Sequence, residues 1–163
     1  MFKVGDFAVY PAHGVGIIKA IEKREISGCY QSFYIMKILD NGMTIMIPID
    51  SADSVGLRNI ISQSEVPKVF EILKTKELKI NGHSWNQRYR EYMGRIKTGS
   101  IFEIAEVLRD LQLLKTQKEL SFGERKMLDM VTSLVVKELA IAEKVQENVI
   151  GEEINKIFNN RSS

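Results

Sequence analysis

The strongest constraint on how this chain folds is a change in its hydrophobic period near residue 62. Before that point apolar residues alternate in short runs broken by Gly, Pro, Asn and Asp; after it they recur at intervals of three and four. Period two lines one face of a strand and period 3.6 lines one stripe of a helix, so strands are predicted first and helices second. No low-complexity linker separates the halves, and the boundary between 1–61 and 62–163 rests on the change of period alone. A length of 163 residues fits one or two small domains, and 44% hydrophobic content is enough to fill their cores.

Five short strands are predicted in the first part. Asp6 to Tyr10 alternates, with Phe7 and Val9 on one side, and Pro11-Ala12-His13-Gly14 reads as a turn. Val15, Ile17 and Ile21 share a face of a long second strand that becomes charged over Glu22 to Glu25, and Ser27-Gly28 turns the chain. Phe33, Ile35 and Leu39 mark a third strand, and Asp40-Asn41-Gly42 is a hairpin signal because Asn-Gly tolerates the positive φ of a tight turn. Ile45, Ile47 and Ile49 mark a fourth, with Pro48 confining it to an edge or an end, and 56–61 supplies a fifth. Strands this short are expected to close into a small five-stranded antiparallel barrel with little room for an active-site cavity. Parity places Met46 and Arg24 on its outside.

Five helices are predicted in the second part. Val66, Val69, Phe70 and Leu73 stripe a short helix opened by Ser64, with Pro67 in its first turn. A polar connection to Gly82 precedes a second helix. Ser84 with Gln87, Ser100 with Glu103 and Ser121 with Glu124 each have the spacing of a capping box and mark three helix starts. Ile101, Ile104, Ala105, Leu108, Leu111 and Leu114 stripe the third helix; Met127, Leu128, Val131, Leu134, Val135, Leu139 and Ala142 stripe the fourth. Ile150, Ile154, Ile157 and Phe158 define a fifth, and the chain from Asn159 is expected to fray.

The second helix opens with Ser84-Trp85-Asn86-Gln87-Arg88-Tyr89-Arg90, which holds the single tryptophan at its first position. Tyr89, Tyr92, Met93 and Ile96 are expected to face inward, with Arg88, Arg90 and Arg95 projecting from the flanks. A net charge of +2 is too small to signal nucleic acid globally, but residues 81 to 100 carry four cations against Glu91. Residues 1 to 61 balance at six cations and six anions, and residues 101 onward hold nine cations and eleven anions. The positive charge is thus concentrated around the tryptophan. Guanidinium groups neutralise phosphates, and a flat apolar ring stacks on bases or wedges into a base step. The same residues also fit a tryptophan folded back onto its own domain beside a solvated charged face.

Catalysis finds no support in these residues. His13 and His83 are the only histidines and Cys29 the only thiol, so no metal-ligand spacing arises and no internal disulfide can form. Gly14-Val15-Gly16 is too short for a phosphate-binding loop, no Gly-x-Ser-x-Gly elbow occurs, and Asp50 and Asp53 suit turn or cap roles. A binding module, not an enzyme, is expected, with no cofactor or metal. No apolar run approaches the ~20 residues that span a bilayer, and a lone cysteine fits a reducing cytoplasm.

Four segments in order resemble one family across the whole length. They are Phe2-Lys3-Val4-Gly5-Asp6-Phe7-Ala8-Val9-Tyr10-Pro11-Ala12-His13-Gly14-Val15-Gly16, the Ser84 to Arg90 segment, Ala105-Glu106-Val107-Leu108-Arg109-Asp110-Leu111, and Leu120-Ser121-Phe122-Gly123-Glu124-Arg125-Lys126-Met127-Leu128. Together they resemble the bacterial CarD/CdnL family of RNA polymerase-binding transcription regulators. The resemblance implies a Tudor-like N-terminal domain, similar to the polymerase-interacting module of transcription-repair coupling factors, that docks on the polymerase β subunit. It implies a helical domain that meets promoter DNA at the upstream edge of the transcription bubble. Carried over by position, Trp85 would be a wedge in the minor groove, with Arg88 and Arg90 as phosphate contacts beside it; Arg95, projecting from the same helix, is expected to join them as a DNA contact. Arg24 matches a basic polymerase contact, and Met46 falls where some members carry a second arginine, so that charge is absent here. The alternative is an adaptor whose helical domain docks a second protein.

Overall fold

The structure is a computed structural model in which residues 1–75 and 84–159 are described. The Asn81-Gly82 turn signal, His83 and the tail after Asn159 lie outside them. The chain divides into two compact units, Met1–Ile60 and Ile61–Ser163.

The first unit is a five-stranded antiparallel sheet of β1 (Phe7–Tyr10), β2 (Gly14–Ile26), β3 (Cys29–Ile38), β4 (Thr44–Pro48) and β5 (Arg58–Asn59). Its order is β4-β3-β2-β1-β5. The two outer strands are not paired with each other, so the sheet stays open where a closed barrel was expected. A two-residue β5 offers too few ladder groups to seal it. Ser27 and Gly28 both take positive φ, +51° and +81°, which makes the two-residue β2–β3 connection a type I′ hairpin. The connection at Asp40-Asn41-Gly42 is longer, spanning 39–43.

Side-chain parity differs from the simple alternation. Ile18 pairs with Met36 and Ala20 with Ile35, so Lys19 is an extra residue on β2 and the ladder is bulged there. A one-residue insertion exchanges the faces of a strand. The core is therefore Ala8, Ile18, Tyr34, Met36, Ile38 and Ile47, closed by Ala52 and Leu57, while Ile21 is 45% exposed, Phe7 40% and Leu39 41%. The expected face of Val15, Ile17 and Ile21 does not exist as a unit. In β4 parity holds: Ile47 is buried and Met46 lies outside. The Tyr34 hydroxyl accepts a hydrogen bond from the Phe2 backbone N–H at 3.1 Å and their rings meet edge to face, which ties the first residues to this core.

The second unit comprises α1 (Val66–Lys74), α2 (Trp85–Lys97), α3 (Ile101–Gln117), α4 (Phe122–Glu143) and α5 (Glu147–Asn159). A 3-10 turn over Gln63–Glu65, which contains Ser64, leads into α1 without a side-chain cap. α3 is its axis: besides the expected stripe it buries Val107 and Leu113, and it packs on α1, α2 and α4. Each fully buried aliphatic such as Leu108, Leu111 or Leu139 contributes roughly 2 to 3 kcal/mol by leaving water. Capping boxes form at Ser84 with Gln87 and at Ser121 with Glu124. The third expected box does not. The Ser100 N–H already donates to the Thr98 hydroxyl at 3.2 Å, so Glu103 has no N–H to reach back to.

Two glycines separate packing from propensity. A Cβ on Gly16 would stand 2.8 Å from the Lys37 carbonyl oxygen and 2.6 Å from Met36 Cε, whereas one on Gly94, on the exposed side of α2, would meet nothing within 4 Å. In denaturant unfolding Gly16→Ala is expected to lose about 1 to 3 kcal/mol. Gly94→Ala is expected to gain about 0.5 to 1 kcal/mol. Equal signs for the two would overturn this assignment of their surroundings.

Candidate nucleic-acid interface

The capping box places Trp85 at the first position of α2, with the Gln87 N–H donating to Ser84 Oγ at 3.4 Å and the Ser84 N–H to Gln87 Oε1 at 3.2 Å. The indole is neither free nor enclosed: it is partly buried. Its edge rests on Gly123 in the first turn of α4, where a Cβ would lie 3.0 Å from the indole Nε1. Tyr89 meets it edge to face at 5.8 Å, and the Arg88 guanidinium stands 5.3 Å from the ring centroid. Tyr89, expected inside, is 47% exposed, so two aromatic rings reach the surface together.

The three arginines of this helix have separate fates. Arg88 does not project to solvent as expected. It is 8% exposed, and its Nη2 meets Glu124 Oε2 of α4 at 3.0 Å. The inward stripe of α2 is therefore Arg88, Tyr92 and Ile96, one helical turn apart, and the remaining Arg88 groups, Nε and Nη1, are buried without an acceptor. Arg95 is partly covered and shared between Glu91 at 3.0 Å and Glu106 at 3.3 Å, which cancels its charge locally. Arg90 is exposed and makes no ion pair among the described residues. Of the expected DNA contacts, Trp85 and Arg90 thus remain open to a partner, Arg95 is mostly committed and Arg88 is wholly committed.

Glu124 holds this arrangement together. It is 1% exposed and receives the Ser121 N–H at 2.9 Å, Lys118 Nζ at 3.0 Å and Arg88. Burial by itself would raise its carboxyl, but hydrogen bonds from the Ser121 backbone, Lys118, the Ser121 hydroxyl and Arg88 outweigh it and hold the group at about 2. Beneath α2, Arg109 Nη2 and Asp110 Oδ1 form a buried pair at 3.1 Å on α3. Burial raises the Asp110 carboxyl against the opposing pull of Arg109, and burial with the nearby Asp110 charge pushes the Tyr92 hydroxyl up to about 12. The capping-box spacing revealed Glu124 as a cap; no local signal announced its second role as the acceptor for Arg88.

The other expected contacts lie in the sheet. Arg24 on β2 is exposed and doubly hydrogen-bonded to Glu22 at 2.8 and 3.1 Å; Met46 on edge strand β4 is 40% exposed. Among the described residues no cluster of three or more His, Cys, Asp or Glu side chains is placed to hold a metal, and no helix is long and apolar enough to cross a membrane.

A carboxyl held near 2 in the folded state, against 4.5 ordinarily, contributes stability that is complete above about pH 4.5 and is lost as pH falls toward 2. Acid titration of the wild-type chain is expected to show this loss, and Glu124→Gln, which leaves Arg88 buried without its counter-ion, is expected to remove that part of the pH dependence. Glu124→Gln should also cost about 3 kcal/mol at neutral pH. Because Trp85 is the single tryptophan, its fluorescence should shift in the same variant as the indole loses its seat. Unchanged emission and an unchanged acid profile would show that Glu124 does not position α2.

Comparison with known proteins follows the same division of the chain. Residues 2–61 match the CarD-like/TRCF RID domain, and residues 68–155 match the CarD C-terminal domain. A Bacillus subtilis (strain 168) protein described as "Putative transcription factor YdeB" is 37% identical over 153 residues, covering 92% of this chain and 97% of that protein. A solved chain described as "CdnLNt from Myxoccoccus xanthus" is 60% identical over 38% of this chain and 87% of its own length, with a TM-score of 0.33. With both domain types present in order and a full-length relative above a third identity, the chain belongs to the CarD/CdnL family of transcription regulators.

Proposed function

We propose that the chain docks on the RNA polymerase β subunit through its N-terminal sheet and contacts promoter DNA through its helical unit, at the upstream edge of the transcription bubble. It works where polymerase works, in the cytoplasm, and without catalysis of its own. The observation that carries this reading is the surface pairing of Trp85 with Tyr89 beside Arg90, an exposed cation with no ion pair among the described residues. Arg24 and Met46, both outside the sheet core, are the polymerase contacts in this reading.

The mechanism is one of differential affinity. Promoter opening is an equilibrium, and a bound protein shifts it only to the extent that it prefers the open form. Unstacking a base step costs a few kcal/mol, which an inserted indole partly offsets. Arg90 adds phosphate affinity without reading sequence. So small a footprint binds free DNA weakly; attachment to polymerase supplies the effective concentration. Arg88 acts in this scheme from behind, holding the ring's helix to α4 instead of reaching a phosphate itself.

Trp85→Ala is expected to shorten open-complex lifetime while leaving polymerase binding intact. Arg90→Glu should weaken association with the polymerase-bound promoter and flatten its salt dependence by about one contact. Promoter footprinting with polymerase present reads both; an unchanged lifetime and an unchanged salt slope would favour the adaptor role, in which the helical unit docks a second protein.

A further inference from the structure

The helical unit is tied down before its first helix begins. Ile61, the residue at which that unit starts, donates its backbone N–H to Glu138 Oε2 of α4 at 3.0 Å. Two residues on, Gln63 Nε2 reaches Glu143 Oε2 at the end of the same helix at 3.2 Å. Between them the Ser62 carbonyl receives the Glu65 N–H at 3.0 Å and the Ser62 hydroxyl donates to Glu65 Oε1 at 3.1 Å, which closes the 3-10 turn leading into α1. On the other side β5 ends at Asn59, which pairs with Ala8 of β1. One residue, Ile60, is left between the last rung of the sheet and the first anchor of the helical unit.

A carboxyl is out of keeping with its place in α4. Glu138 is 3% exposed and continues the stripe of Val131 and Val135, both wholly buried, at the spacing where another aliphatic side chain would pack. Burying a carboxyl is unfavourable unless donors meet it, so the helix itself gains nothing from one here. The N–H it takes up belongs to a connecting residue outside any helix or strand, which has no ladder to pair with.

Resting on the reading in which the sheet docks on polymerase and the helical unit on promoter DNA, we propose that Glu138 is a positioning residue for that function: by holding Ile61, with Glu143 holding Gln63 behind it, it keeps the free chain between the two contacts at its shortest. Joining two contacts makes the second one intramolecular, and its effective concentration falls roughly as the −3/2 power of the free length. With Ile61 released, the free stretch grows from Ile60 alone to Ile60, Ile61 and Ser62, ending at the 3-10 turn that opens with Gln63. That change from one residue to three lowers the effective concentration about fivefold.

The test uses the full-length chain and reads the anchor separately from its consequence. Amide exchange followed by NMR should find the Ile61 N–H protected in the wild type and in Glu138→Gln, whose amide oxygen still accepts, and fast in Glu138→Leu, which continues the aliphatic stripe. The Leu108 and Leu139 amides should stay protected in all three. Open complexes formed with polymerase should decay about fivefold faster with Glu138→Leu and at the wild-type rate with Glu138→Gln. Two glycines inserted between Ile60 and Ile61 give the same three free residues without touching Glu138, and should speed decay equally. The insertion combined with Glu138→Leu should act by less than the product of the two, whereas a carboxyl serving stability alone would give independent losses. Binding to polymerase without DNA should be the same for every variant. Unchanged Ile61 exchange in Glu138→Leu would overturn the proposal. So would an insertion that leaves the lifetime unchanged while Trp85→Ala shortens it, and the DNA reading would then stand alone. If the insertion shortens the lifetime and Trp85→Ala does not, the proposal stands without the wedge. If neither acts, both readings fall.

Discussion

One buried carboxylate sets the geometry of the helical unit. Glu124 closes the cap of its own helix, takes the lysine of the preceding turn and receives an arginine from α2, so three segments meet at two oxygen atoms. Withdrawing a carboxylate from water costs several kcal/mol, and only a full set of donors offsets that cost. Here the backbone N–H, the ammonium and the guanidinium together do so, which is why the group stays ionised far into acid. The unmatched Nε and Nη1 of Arg88 are the residual cost, softened by the indole face lying over the guanidinium.

That commitment changes what the tryptophan helix shows to the outside. Three arginines in eight residues suggest a broad phosphate-binding surface, yet one is turned inward and another is shared by two carboxylates. The outward positive charge of α2 is left to Arg90 near its start and Lys97 in its last turn. The indole gains a fixed orientation from Gly123 and Arg88, which lowers the entropy cost of ordering it against a partner.

The sheet unit obeys a different logic. Its core depends on one extra residue, Lys19, which exchanges the faces of β2 so that Ile18, and not Ile17, meets Met36 and the side chains around Tyr34. Each unit buries a core of its own, so mutations in one are expected to leave the other folded.

Local signals carried much of the fold. The change of period near residue 62, the caps at Ser84 and Ser121, the Ser27-Gly28 turn and the parity of β4 are each set by residues within a few positions of one another, and all are present in the structure. The position of Trp85 at a helix start, and the cations after it, were equally legible. What the sequence could not supply depended on partners from elsewhere in the chain. Lys19 becomes a bulge only against β3; the Ser100 box fails because the Thr98 hydroxyl takes its N–H; the sheet stays open because β5 is too short to reach β4. Arg88 turns inward because a carboxylate on another helix awaits it. Sequence alone determined which segments are strands and helices and where the aromatic and cationic side chains begin; tertiary structure alone decided which of those charges are spent inside and which face a partner, because burying an ion depends on a counter-ion that only folding brings near.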